Sequence, residues 1–444
     1  MLPIRRLSIG IIFQLITHLG TCLFSTLAAV FSLLLSYGLL LLANGLFSTL
    51  LGVRTQVEGF PTDQVGFIVA SYFFGLLCGG VLAGRIVSRV GHIRSFAAFA
   101  SLMSVSALLH PLWISVGGWM VLRMLSGFCM AGLIMVTESW LNTRASNHNR
   151  GQVLSFYMTT NYFAAGSGQF LLSIGDPSQF QLFSLASVIF SLALIPVLLT
   201  RAKAPVMPTA ERMPLISLYR LAPLGVFGVF CAGLINASVH GLGPVFAVNI
   251  GLSEAKLSIF MATIIMSGLL LQWPVGHLSD RIGRGPLLIV IPLIVSIAAF
   301  SMTQVRDYHL LLVNVGFFGA FLFTVYSLSA ATANDLASPE QRVQVAGGLL
   351  ITYGAGASVG PIIAGQFMGF MGPPGLFGYF ALVSLLLALF ATFKRRRGGS
   401  PDKRKPFIAV PATQSTSNQL YLSAQKETPD KVVLHDASES DQSS

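Results

Sequence analysis

Arg123 and Glu138 stand fifteen residues apart in one otherwise apolar run, 118–142. An ionised side chain in hydrocarbon costs at least about 2.5–3.5 kcal/mol, so each must face protein or a wet cavity. At about 100° per residue the two lie within roughly 60° of one another on a helix. They share the stripe Arg123, Gly127, Ala131, Ile134 and Glu138. Their axial separation is about 22 Å, too far for a direct pair. Glu138, near the inner boundary of its run, fits two roles. It is either a permanently ionised gate residue paired with Arg89, Arg94 or Arg150, or a carboxyl that takes up and releases a proton. Arg123 fits either a structural bond to backbone carbonyls or a neighbouring span, or a functional role as an intramembrane charge. His240 is a further group that titrates near neutral pH, although a lone His is more often a packing residue.

Uncharged polar residues fall on helical faces in other apolar runs. Tyr37, Asn44 and Ser48 share one face, Tyr157, Asn161 and Gly168 another, and Asn236 precedes His240 by one turn. Gln272 and Tyr353 stand in runs of their own. An amide turned to lipid is costly, so each is expected to look inward. Two uses remain open: hydrogen bonds between helices, and the wall of a cavity near the midplane holding Asn44, Tyr157, Asn161, Asn236, Gln272 and Tyr353. No nucleotide-binding loop, metal-ligand spacing or hydrolytic triad occurs. The sequence therefore points to no enzyme, no cofactor and no metal. The four cysteines sit singly in apolar runs.

These residues need helices that cross a membrane. The chain of 444 residues is 54% apolar and only 10% charged, against about 25% charged in soluble domains. Lipid must be its main solvent. A crossing helix needs about 20 apolar residues. Twelve such runs are present: 30–53, 64–85, 95–113, 118–142, 151–174, 182–200, 220–246, 256–278, 286–304, 310–335, 343–370 and 375–393. The expected fold is all-α and integral to the membrane, with a six-helix half at 30–200, a Pro-bearing loop at 201–219 and a second half at 220–393. The net charge of +11 is gathered in the gaps and the tail, which argues for basic cytoplasmic loops and against nucleic acid. With the start of the first run inside, the cytoplasmic gaps hold twelve Lys and Arg and the opposite gaps three. That asymmetry places the 201–219 loop and the C-terminus in the cytoplasm.

The halves repeat one another. Gly84-Arg-Ile-Val-Ser88-Arg89-Val-Gly91 follows the second run, and Gly276-His-Leu-Ser-Asp280-Arg281-Ile-Gly283 follows the eighth. With Arg94 and Arg284 these stretches resemble the signature loop of the major facilitator superfamily. Arg123-Met-Leu-Ser-Gly127 is similar to that superfamily's Arg-x-x-x-Gly pattern. Ser71-Tyr72-Phe73, Val136-Thr137-Glu138-Ser139, Asn149-Arg150-Gly151, Gln272-Trp273-Pro274 and Gly360-Pro361 resemble its YcaD-type branch. The resemblance covers about 30–393.

It implies two pseudo-symmetric halves that rock around a central cavity. It also implies a cytoplasmic gate at Gly84, Ser88, Arg89, Gly91, Arg94, Arg150, Gly276, Asp280, Arg281, Gly283 and Arg284. The partners it implies are a small solute, the lipid bilayer and, through Glu138 or His240, protons. The protein would be a monomer in a bacterial inner membrane. A ligand sensor built on the same frame is the rival function. The chain departs from the pattern in two places. Ser88 stands where the superfamily usually has Asp, which weakens the charged gate in the first half. Helix 5 reads Gly166-Ser-Gly168-Gln169 and lacks the Gly-Pro signature of many proton antiporters.

Small residues recur every four positions at Ser71, Gly75, Gly79 and Ala83, and at Gly356, Gly360 and Ala364. Spacing of that kind lets helices approach closely. The resemblance places these two stripes against each other across the half–half boundary. Residues 1–29 fit a signal peptide, a thirteenth span, an interfacial helix or an upstream stretch not made in the cell. Residues 394–444 begin with a basic stop and continue as a polar tail expected to be disordered.

Overall fold

The computed structural model describes residues 4–144, 149–199, 213–338 and 341–397, with side chains from residue 30 onward. Apolar sequence and the need to satisfy every backbone N–H and C=O inside a bilayer leave helix as the available form for these runs. The first half contains α1 (Ile4–Val57), α2 (Thr62–Val90), α3 (His92–Leu109), α4 (Val116–Arg144), α5 (Arg150–Gly168), α6 (Gln181–Leu192) and α7 (Leu194–Leu198). The second contains α8 (Leu215–Leu221), α9 (Pro223–Asn249), α10 (Glu254–Ser267), α11 (Gln272–Ile282), α12 (Arg284–Met302), α13 (Tyr308–Leu336), α14 (Arg342–Met371) and α15 (Gly375–Arg397). Eleven segments among the described residues are long and apolar enough to cross a membrane. The remaining run, 151–174, is interrupted: α5 gives way at Gln169 to a 3₁₀ turn that ends at Ile174. The run at 256–278 is interrupted as well, at the turn between Ser267 and Gln272. The protein is an all-α, multi-pass membrane protein with the architecture expected from the repeated halves.

Residues 7–29 join the first span in a single helix of 54 residues. Of the expected tail at 394–444, residues 394–397 close α15 and 398–444 lie outside the described residues, as does most of the 201–219 loop.

The small-residue stripes do not face each other. A methyl on Gly75 would overlap the Met124 carbonyl, and one on Gly79 the Phe128 carbonyl, so this stripe seats α2 against α4 within its own half. Gly356 and Gly360 likewise meet the backbone at Phe230 and Leu234, seating α14 against α9. The boundary between halves uses the other faces of the same helices. There Gly66 approaches Pro361, Gly80 approaches Leu350, and Leu77 approaches Gly354. Four-residue spacing predicts a close approach but carries no information about the partner.

The repeated loops share one backbone. Gly91 has φ 93°, ψ 156° and Gly283 has φ 98°, ψ 155°, a region open essentially to glycine alone. Each glycine turns the chain directly from one helix into the next.

The halves meet beside the break between α10 and α11, where the Gln272 amide donates to the Tyr162 hydroxyl at 3.1 Å. They also meet at the end carrying the turns at 58–61 and 250–253. At that end Ser173 Oγ lies 3.3 Å from Ser258 Oγ, and Gly52 on α1 packs on Pro244 of α9.

Candidate functional site

A cavity of about 90 Å³ lies between the two halves, lined from α1, α2, α4 and α5 on one side and α9, α10, α13 and α14 on the other. Asn44 and Asn161 reach it from the first half, and Asn236, His240 and Tyr353 from the second. Broken helices at membrane depth are tolerated where the freed backbone lies in protein or lines a cavity. Asn236 and Tyr353 are both buried and lie side by side on this wall. The His240 Nδ1 is held by the Asn236 carbonyl at 2.8 Å, one turn back on α9. The ring packs edge-on to Phe323.

Two residues expected on the wall stand off it. Gln272 closes the helix break instead: besides Tyr162, its amide donates to the Phe323 carbonyl at 3.2 Å, and its oxygen lies 3.2 Å from Ser327 Oγ. The turn at 268–271 rotates it away from the cavity and into the contact between halves. Tyr157 is also withdrawn, because its hydroxyl donates to the Glu138 carboxylate.

Glu138 is 1% exposed and belongs to a chain of hydroxyls and amides. Tyr157 stacks on Tyr37 at 4.7 Å between ring centres, and the two hydroxyls share a hydrogen bond. Asn161 Nδ2 in turn donates to the Tyr37 hydroxyl at 2.6 Å. The chain thus runs from the buried carboxylate across α4, α5 and α1 to an amide on the cavity wall. Tyr37 and Tyr157 are each readable from the sequence as a polar position on a face. Their junction is not, because it depends on how α1 and α5 cross.

Arg123, 3% exposed, lies beyond the cavity's other end. Its guanidinium sits over the Tyr72 ring at 4.1 Å and 5.7 Å from the centre of Phe47. Stacking of this kind attracts a desolvated cation. Tyr72 itself lines the cavity, and its hydroxyl meets Asn44 Oδ1 at 3.3 Å.

The gate residues differ in exposure and in their partners. Ser88 Oγ bonds the Arg85 carbonyl of its own helix, at 3.0 Å. Arg89, Arg94 and Arg281 are exposed, Asp280 and Gly84 are half-buried, and Gly276 is buried. The backbone at Arg150 opens α5, but its side chain lies outside the described residues. The buried ion pair at this end is Arg284 to Asp335, at 2.6 Å, tying α12 to α13. The first half places His92 at the matching position after its glycine, and His92 Nε2 lies 3.2 Å from Ser139 Oγ on α4. Both halves therefore bind the residue after the turn to their fourth span, with a charge pair in the second half and a neutral contact in the first. Asp335, at the margin of its run, was not singled out by the sequence; an acid at the cytoplasmic end of a span opposite a basic loop was the available signal. No cluster of His, Cys, Asp and Glu among the described residues could hold a metal ion.

The model of the Major Facilitator Superfamily matches residues 27–324 and 225–426. The chain is 30% identical over 359 residues to the MFS-type transporter YcaD of Escherichia fergusonii, covering 80% of this chain and 92% of that protein. It is 29% identical over 367 residues to the MFS-type transporter YE1530 of Yersinia enterocolitica, covering 82% and 94%. Among solved structures, the nucleoside transporter NupG superposes with a TM-score of 0.69 at 15% identity, over 82% of this chain and 98% of that one. A D-xylose–proton symporter superposes with a TM-score of 0.61 at 18% identity, over 89% and 99%.

Proposed function

The chain belongs to the major facilitator superfamily, and on that premise we propose that it moves a small amphiphilic solute across a bacterial cytoplasmic membrane by alternating access. One observation carries the reading: a polar-studded cavity lies between the two halves and draws its wall from both. A site so placed changes its access when the halves rock. With the basic loops in the cytoplasm, the contacts at Ser173–Ser258 and Gly52–Pro244 are the outer gate, and they are made here. Glu138 is the proton site in this reading. Its carboxylate is buried, and the Tyr157–Tyr37–Asn161 chain delivers its charge state to the cavity wall. Arg284 with Asp335 forms the stronger half of the inner gate, and the protein acts as a monomer.

A thermal-shift screen of the purified protein against metabolites and drugs, followed by flux in proteoliposomes with and without a pH gradient, tests this. A compound that stabilises the protein is expected to cross protein-containing vesicles at least tenfold faster than empty ones, and to accumulate when a gradient is imposed. A ligand that binds tightly and never crosses would overturn transport and leave the sensor.

A further inference from the structure

The charges around the cavity are lopsided. None of the residues lining it is Asp or Glu, and Glu138, the buried acid of the first half, is engaged by Tyr157 behind the wall. At the opposite end a recess of about 10 Å³, room for one water-sized group, lies between α1, α2, α4 and α9. Arg123 and Ser48 line this recess, and Ser48 lines the main cavity too. Arg123 Nη1 is buried in the recess without a hydrogen-bond partner. No carboxylate among the described residues pairs with its guanidinium, whose neighbours are the Tyr72 and Phe47 rings.

A guanidinium stays charged in a protein, and a buried cation is costly until an opposite charge or several acceptors reach it. Aromatic faces supply part of that compensation. They leave the planar N–H fork, which matches a carboxylate bidentately, with a free edge. We infer that the solute carried by this protein is an organic acid whose carboxylate docks on Arg123 when the halves rock and the Ser48 recess between α1, α2, α4 and α9 widens to admit it. Its apolar or aromatic body lies against Tyr72 and Phe73, and its remaining polar groups meet Asn236 and Tyr353, which share the wall of the cavity. This rests on the transport reading and narrows it to a substrate class. Cationic solutes are excluded by the same charge that recruits the anion.

Three probes with one ring and three charges test it: benzoate, benzamide and benzylammonium, titrated at pH 7 into the purified full-length protein. Benzoate is expected to bind at least tenfold more tightly than the other two. Arg123→Gln is expected to reduce benzoate to the benzamide level. Arg123→Lys is expected to retain part of the difference, because it keeps the charge but loses the fork. If Arg123→Gln does not give a monodisperse sample, the contrast among the three probes on the unaltered protein decides alone. Equal binding of benzoate and benzamide, or undiminished benzoate binding by Arg123→Gln, would overturn the inference. Inorganic phosphate and chloride form a separate arm: displacement of benzoate by either at lower concentration than benzoate itself requires assigns the position to an inorganic ion and also overturns it. Proteoliposome flux separates this from the parent reading. Benzoate bound but never moved removes transport and keeps the anion site. A neutral solute moved without any preference for anions keeps transport and removes the site.

Discussion

Glu138→Gln abolishes uphill accumulation of the solute found by the screen, while exchange of that solute across proteoliposomes at equal pH continues at close to the normal rate. Glutamine keeps the shape and the acceptor oxygen that Tyr157 addresses, so α4, α5 and α1 stay in register. It removes the titration, and a group that never changes charge cannot couple to a proton gradient. The expected loss is at least tenfold in the accumulation ratio. The polar chain sharpens the prediction. Tyr157→Phe interrupts the link between carboxylate and cavity without touching the carboxylate, so it is expected to lower the accumulation ratio while leaving exchange intact. Normal accumulation in Glu138→Gln would remove Glu138 as the proton site and turn attention to His240, which lines the cavity directly. A parallel fall in exchange and accumulation would return Glu138 to the gate role.

The second large effect is on stability and needs no solute. A methyl group on Gly127 would overlap the Tyr72 carbonyl oxygen and crowd the Leu76 amide, both backbone groups of α2. Backbone cannot yield as the tip of a side chain can, so α2 and α4 must separate along the contact that Gly75 and Gly79 also require. Overpacking costs about 1–3 kcal/mol, occasionally more, and here it also displaces the Tyr72 ring that carries Arg123. Gly127→Ala is expected to lower the melting temperature in detergent by roughly 5 °C or more, or to prevent recovery of a monodisperse protein. Gly117, on the same helix, has open space around it, and Gly117→Ala is expected to be neutral or slightly stabilising through helix propensity. Equal melting temperatures for the two variants would show that the α2–α4 contact is looser than described.

These two residues show what the sequence discloses and what it withholds. Gly127 and Glu138 were both legible as members of one stripe on the fourth span, because helical periodicity is a local property. The apolar runs and the repeated loops, with their glycines at positions 91 and 283, were legible for the same reason. Tertiary partners were not. Gly75 and Gly79 of α2 face α4 rather than α14, since a small residue invites any neighbouring backbone and only the crossing of helices decides which. Gln272 was a cavity candidate as a polar residue near midplane, but the break before it in α10–α11 turns it into a strut between halves. Asn44, Asn161, Asn236 and Tyr353 do converge on one space. The Arg284–Asp335 pair joins the buried side of a loop arginine to the far end of the span that follows α12. No local spacing rule links those two positions.

The central claim is that the halves exchange which end of the cavity they close, and paired spin labels measure that exchange directly. One pair at Gln179 and Glu254 spans the closed end, and a second at Thr143 and Gln341 spans the opposite end; all four side chains are exposed. Distances are recorded by double electron–electron resonance on protein in lipid nanodiscs, at acidic and at alkaline pH and with and without a stabilising solute. Alternating access predicts two distances for each pair and opposite changes in their populations, the first pair lengthening as the second shortens. One unchanging distance at the Gln179–Glu254 end under every condition would contradict it and leave a cavity that binds without ever opening outward.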